Sequence, residues 1–344
     1  MRGMLGPTQI SQQSGAPTAH PVVNRFVLLR SLMQRVVVFV VLLVLMSLLP
    51  RLLPGDTLDV LLDSNVQRGL QNSEIADLRD RLGLAGSLVE QVGRDLARLA
   101  HGDLGYSLLH GAPVSHLLAD ALPWTALLIA LATPIFLGVG VTLAAEAGRQ
   151  PGARADRVIT TCMSLLASIP PFITAVLLFL CFGILWPVLP TGGAEPLFPA
   201  ETPLLRAQEI LRHALLPSLA LALHEVVRYF FVLRGEVAVL ASRAFVLNGR
   251  SRGISGWRER RDYFGRNLLA VVCARLGQSV ASLFTASLFV EVIFSYPGVG
   301  ALTYHAVLDR DYPLLQGVIA VLALLVLGLT WLLDALTEIL TRRG

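Results

Sequence analysis

Residues 121–145 read ALPWTALLIALATPIFLGVGVTLAA, twenty-five residues without one charge. As an α-helix this run is longer than the roughly 20 residues that cross the hydrocarbon core of a bilayer. A surface helix of a soluble domain keeps a charged face, and this one has none. The stretch therefore reads as a membrane span, and five further apolar runs follow on either side of it. The first covers 32–53, around VVVFVVLLVLMSLL at 36–49. The third lies within 158–189, thirty-two residues without a charge, where Pro170–Pro171 predicts a kink or break. The fourth, 214–233, carries His224, Glu225 and Arg228, the fifth is 268–293, and the sixth is 314–340, opening with twenty uncharged residues.

The whole chain fits that reading. It has 344 residues, of which 54% are hydrophobic and only 15% charged, and its mean hydropathy is +0.65. A soluble domain of this size needs more charge on its surface. The expected fold class is all-α, a polytopic membrane protein with six spans. All 28 basic residues are arginine. With no lysine, the chain cannot carry a phosphate-binding loop of the G-x-x-x-x-G-K-[ST] type, so any ATP hydrolysis must come from another subunit. Cys162, Cys181 and Cys273 stand in apolar stretches without metal-ligand spacing and read as buried free thiols.

Arginine placement sets the orientation. With the N-terminus inside, seventeen arginines fall on the cytoplasmic side, eight of them between Arg234 and Arg266, and the two short outer loops hold only Arg206, Arg212 and Arg310. Both termini are expected to be cytoplasmic. The first span is followed by PRLLPGD rather than a small-residue cleavage site, which favours a retained helix over a signal peptide. Residues 1–30 form a polar N-terminal tail, read as disordered, and 31–53 the first span. Segment 54–120 is too polar to span. SEIADLRDRLGL and LVEQVGRDLARL within it have helical periodicity with one apolar face, and predict a small external helical segment. The remainder, 121–344, is the core with five spans and a loop at 234–266.

That loop holds GRSRGISGWRERR at 249–261, five arginines in thirteen residues. Anionic head groups would attract such a patch, and so would nucleic acid, although no recognition fold accompanies it. A docking helix for a cytoplasmic partner is the third reading. Phe245, Gly249 and Gly253 stand four residues apart, on one side of a helix. Glycine within a helix costs about 1 kcal/mol relative to alanine, which close approach of another surface explains and simple solvation does not.

The loop and several other stretches together resemble the inner-membrane permease subunits of binding-protein-dependent ABC importers. The likeness is to the first permease of the dipeptide, oligopeptide and nickel branch. That family's loop reads Glu-x-x-(Tyr/Phe)-(Ile/Val)-x-x-Ala-(Arg)-x-x-Gly. This sequence answers with Phe245, Val246, Gly249, Arg250, Arg252 and Gly253, then Arg266–Asn267. PGD at 54–56, HGDLGYS at 101–107, HALLP at 213–217, EVIFSYPGVG at 291–300 and RDYPLLQG at 310–317 resemble further motifs of the branch. The resemblance covers about residues 30–344. The loop departs from the pattern at Arg243–Ala244, where the family has an acid, and at Ala270–Val271, where it often has a proline.

The resemblance implies the type I importer permease fold in a bacterial inner membrane. It implies a second permease subunit, usually a different one, two ATPase subunits that bind ATP and magnesium, and an external substrate-binding protein. The chain itself would hold no cofactor, metal or nucleic acid and catalyse no reaction. The segment Phe245–Ile254 would be a coupling helix seated on an ATPase, and the cargo would be peptides, nickel or metal chelates. Polar residues within spans are the candidates for the path: His224, Glu225, Arg228, Arg275 and Glu291, with Asp334 near the end of the sixth span. Local pairing explains most of them equally well, and Glu291 could instead hold the SYPGVG turn. His101, His110, His116 and His305 match no compact ligand set. The alternative is a self-sufficient secondary transporter or channel, but Pro170–Pro171 has no counterpart in the second half. A membrane-embedded enzyme would need a motif such as H-E-x-x-H or G-x-S-x-G, and the sequence has neither.

Overall fold

The structure is a computed structural model, and it describes residues 25–52, 87–107 and 109–341. The stretch at 73–84 and the tail before residue 25 lie outside the described residues.

The architecture is helical. The elements are α1 (Arg25–Leu52), α2 (Leu88–Ala100), a hairpin of β1 (Tyr106–Ser107) and β2 (Ala112–Pro113), and α3 (Val114–Gly148). They continue with α4 (Arg154–Ala167), α5 (Pro171–Leu178), α6 (Pro203–Ala241), α7 (Ala244–Ser251), α8 (Arg266–Ile293), α9 (Val299–Leu308) and α10 (Tyr312–Thr341). Among the described residues five helices are long and apolar enough to cross a membrane, or six if α4 and α5 count as one broken span. They turn at 99° to each other. Pro171 starts α5, and Ile169 and Pro170, each preceding a proline, are biased away from helical backbone.

Two helices outrun their apolar stretches. α3 begins at Val114, so residue 121 lies inside it, and α6 begins at Pro203, well before the apolar stretch. Polar first turns continue a helix as readily as apolar ones, and hydropathy reports only the part that meets lipid.

The centre of the fold is the parallel pair α3 and α6. A Cβ on Gly140 would lie 3.0 Å from that of Tyr229, and one on Gly148 would lie 2.7 Å from both the Arg234 carbonyl and the Val237 Cβ. Gly140, Ala144 and Gly148, four apart and all buried, form a seam of small residues through which the backbones approach. Lipid competes for apolar side chains inside a membrane, so this close packing is what holds two helices together there. α8 packs on α6 and α10, and α1 lies outermost, against α10 and α2. Arg35 of α1 binds Asp334 of α10 at 2.5 Å. Asp334 thus anchors a peripheral helix, which is its structural reading.

At the end opposite the basic loop, two of the sequence motifs meet. In HGDLGYS, Ser107 donates to an Asp311 carboxylate oxygen at 2.5 Å and accepts from the His110 backbone N–H at 3.0 Å. A Cβ on Gly317 would fall 3.0 Å from the Leu104 carbonyl, and one on Gly105 would fall 3.7 Å from Pro313. The motif at 101–107 therefore docks on 310–317 of the same chain. It ties the segment before α3 to the start of α10.

Candidate functional site

The basic loop folds into α7, a connecting stretch and a π-helical segment at Glu259–Gly265 that leads into α8. Two of its glycines serve purposes other than those the spacing suggests. α7 ends at Ser251, and Gly253 lies beyond it with φ +80°, a left-handed conformation that glycine adopts freely. Gly253 N–H reaches the Arg250 carbonyl at 2.9 Å and Ile254 N–H the Gly249 carbonyl at 3.0 Å, the paired bonds of a glycine helix stop. Gly253 is thus a cap and not part of the helix face, which corrects the expectation. Gly249 does mark a close approach, but the approaching group belongs to this chain. A Cβ there would meet the Tyr263 ring and hydroxyl at 2.8 Å. The Tyr263 ring also stacks on Phe245, with centroids 6.0 Å apart and planes 10° from parallel.

The arginines divide in two. Arg250 donates to Glu259 at 2.6 Å and to the Arg149 carbonyl at 3.0 Å, and Arg260 pairs with Glu146 near the end of α3. Glu259 is buried, so its pairing with Arg250 replaces water that the carboxylate has lost. Arg261 hydrogen-bonds Asp262 and holds that exposed carboxyl below its ordinary range. Arg252 and Arg258 are exposed, and among the described residues their side chains make no hydrogen bond or ion pair. Behind the loop, Asp156 is 3% exposed and accepts both guanidinium arms of Arg234, at 2.6 and 2.8 Å, and the Gly152 N–H at 2.8 Å. This pins the turn between α3 and α4 to α6.

The result is a short helix fixed from behind and open in front. Val246 and Gly249 are buried, while Phe245 (45%), Leu247 (51%) and Trp257 (67%) are exposed beside Arg252 and Arg258. Arg243 precedes α7 without a capping side-chain bond, and the first turn has no acid. The start of α7 is closed by backbone alone, with the Val246 N–H reaching the Arg243 carbonyl at 3.0 Å.

The path candidates separate likewise. Glu291 is fully buried, accepting from Thr125 at 2.7 Å and the Ala301 N–H at 3.0 Å, with Gly298 and Gly300 closed around its carboxylate. It holds the SYPGVG turn against α3. Glu225 and Arg228 pair at 3.0 Å, Arg228 also donates to Ser282 of α8 at 2.6 Å, and His224 beside them is half-buried. Arg275 is exposed on α8, toward the basic end. Single-sequence reading missed Tyr263, Glu259, Glu146 and the Asp156–Arg234 pair. Glu259 follows Arg250 by nine residues, close enough for the sequence to flag it, but nothing in the sequence pairs Asp156 with Arg234, 78 positions apart.

The profile of the family described as binding-protein-dependent transport system inner membrane component matches residues 119–343, from α3 past α10 and through the basic loop. A putative peptide transport system permease protein of Brucella abortus is 30% identical over 312 residues, covering 91% of this chain and 96% of the relative. A probable peptide ABC transporter permease protein of Sinorhizobium fredii, y4tP, is 25% identical over 89% of this chain and 95% of its own. The oligopeptide transport system permease protein AppB of Bacillus subtilis is 25% identical over 84% and 90%. With the helical core matched from α3 onward and relatives aligned along nearly their full length, the chain belongs to the binding-protein-dependent transport system inner membrane components and is an ABC importer permease of the type I fold.

Proposed function

We propose that this chain forms half of the translocation path of an ATP-driven peptide importer and takes its driving motion from a cytoplasmic ATPase through α7. The observation that carries the reading is the two-sided character of α7. Its rear is locked by Tyr263, by the glycine stop and by the Arg250–Glu259 pair, and its front offers Phe245, Leu247 and free arginines. Such a helix can move only with the spans behind it. A partner gripping the front then biases the whole permease toward one of two conformations. Apolar anchors with arginine at their rim are what a protein socket with acidic edges accepts.

The loop and both termini lie in the cytoplasm of a bacterial cell, a reading supported by the seventeen arginines on that side. ATP and its magnesium belong to two ATPase subunits, because this chain has no lysine for a phosphate loop. A second, different permease completes the path, and a binding protein delivers cargo at the opposite end. The relatives' names favour peptides over nickel or metal chelates as cargo. In the reconstituted complex, Leu247→Asp should abolish cargo-stimulated ATP hydrolysis while the two permeases still copurify. Stimulation equal to wild type would remove α7 from the coupling.

A further inference from the structure

The polar face shared by α6 and α8 points to a chemical feature of the cargo. Ser282, which accepts from Arg228, stands eleven residues from each end of the apolar stretch Val271–Ile293. The Arg228 guanidinium therefore lies near the middle of the span, and its side chain is 40% exposed. Lipid is a poor neighbour for a charge at that depth, so the face looks onto water or onto another chain. Gln278 and Thr285, one turn to either side of Ser282 on α8, are also exposed, as is Arg275 further along. An aqueous wall is the environment that suits this polar stripe.

The guanidinium is held in a particular way. Glu225 and Ser282 both engage Nη1. Nε and Nη2, whose N–H bonds run parallel, carry no hydrogen bond among the described residues. That free edge matches the two oxygens of a carboxylate. We infer that Arg228 receives a carboxylate of the passing cargo, the C-terminus of a peptide, at the middle of the path. Glu225 neutralises most of the arginine's charge, which keeps the grip weak enough for release, as a conducting site requires. The inference rests on the peptide-importer reading and names the group recognised within it.

The test uses the complete complex with its binding protein in proteoliposomes. Uptake of trialanine and of trialanine amide is measured, each scaled to the binding protein's own affinity for it. Wild type should prefer the free acid. Arg228→Gln should reduce the acid-to-amide ratio about tenfold, the scale of one charge-assisted contact. Arg228→Lys should recover only part of it, because an ammonium offers no parallel pair. If Arg228→Gln fails to assemble with Glu225 left unpaired, the double variant Glu225→Gln/Arg228→Gln removes both charges and should show the same loss. Equal loss of both uptakes, with the ratio unchanged, would overturn the inference and assign Arg228 to the second permease. No preference in wild type would also overturn it. A wild-type complex that carries neither peptide would instead sink the peptide-importer reading, and the inference with it.

Discussion

Substituting the same residue at two points of one helix separates contact from helix propensity. Gly138 and Gly148 both lie in α3, and alanine is favoured over glycine in a helix by about 1 kcal/mol at either. A Cβ at Gly138 meets nothing within 4 Å. At Gly148 it would stand 2.7 Å from the Arg234 carbonyl and from the Val237 Cβ, where ordinary contact begins at 3.4 Å. The α3–α6 seam would have to open by about 0.7 Å, a displacement that forfeits a quarter to a half of the dispersion energy of each contact it breaks. Overpacking of this kind costs about 1–3 kcal/mol. Because the propensity gain is common to both, Gly148→Ala should be less stable than Gly138→Ala by that amount. Gly138→Ala should itself match or exceed wild type. The assay is the unfolding midpoint of the purified protein in detergent, followed by tryptophan fluorescence. Equal shifts in the same direction would refute the close packing of α3 on α6.

Other outcomes follow from single contacts. Asp156→Asn removes the counter-charge of Arg234 and should lower stability by about 1.5–3 kcal/mol in the same melt, the scale of hydrogen bonds to charged groups. Ser107→Ala leaves the buried Asp311 carboxylate one donor short; it should cost about 1–3 kcal/mol and speed proteolysis of the 101–113 segment. Gly249→Ala should weaken stimulated ATP hydrolysis by displacing Tyr263 from Phe245, and Tyr263→Ala alone, which deletes the same contact, should weaken it to a similar degree. If Tyr263→Ala leaves the stimulation at the wild-type level, the Tyr263 contact does not lock α7.

The spans were legible in the sequence because lipid demands long uncharged runs, and the break at Pro170–Pro171 because two prolines exclude a continuous helix. The glycines were only half legible. Spacing alone signalled that a surface approaches Gly249, but not that the surface is Tyr263, fourteen residues downstream and brought back by a π-helical turn. Gly253 has the helical spacing of a face and the backbone of a stop, and only φ distinguishes the two. The motifs at 101–107 and 310–317 were visible separately. One sequence holds no record of which distant stretches touch, so their mutual contact came only with the fold. The Asp156–Arg234 pair was hidden for the same reason, each member reading as a loop or helix-end charge.

The claim that α7 is the seat of a separate motor is tested most directly by a cysteine at its front. Cys162 is exposed and Cys181 and Cys273 are partly so, not buried as their apolar stretches suggest, so all three are replaced by alanine. In that chain Leu247→Cys should be labelled readily by a water-soluble maleimide when the permease is alone. It should be protected once the ATPase subunits are bound, and a short bifunctional reagent should join it to one of them. Val246→Cys, buried against the rear, should do neither. Labelling of residue 247 that is the same with and without bound ATPase would contradict the account.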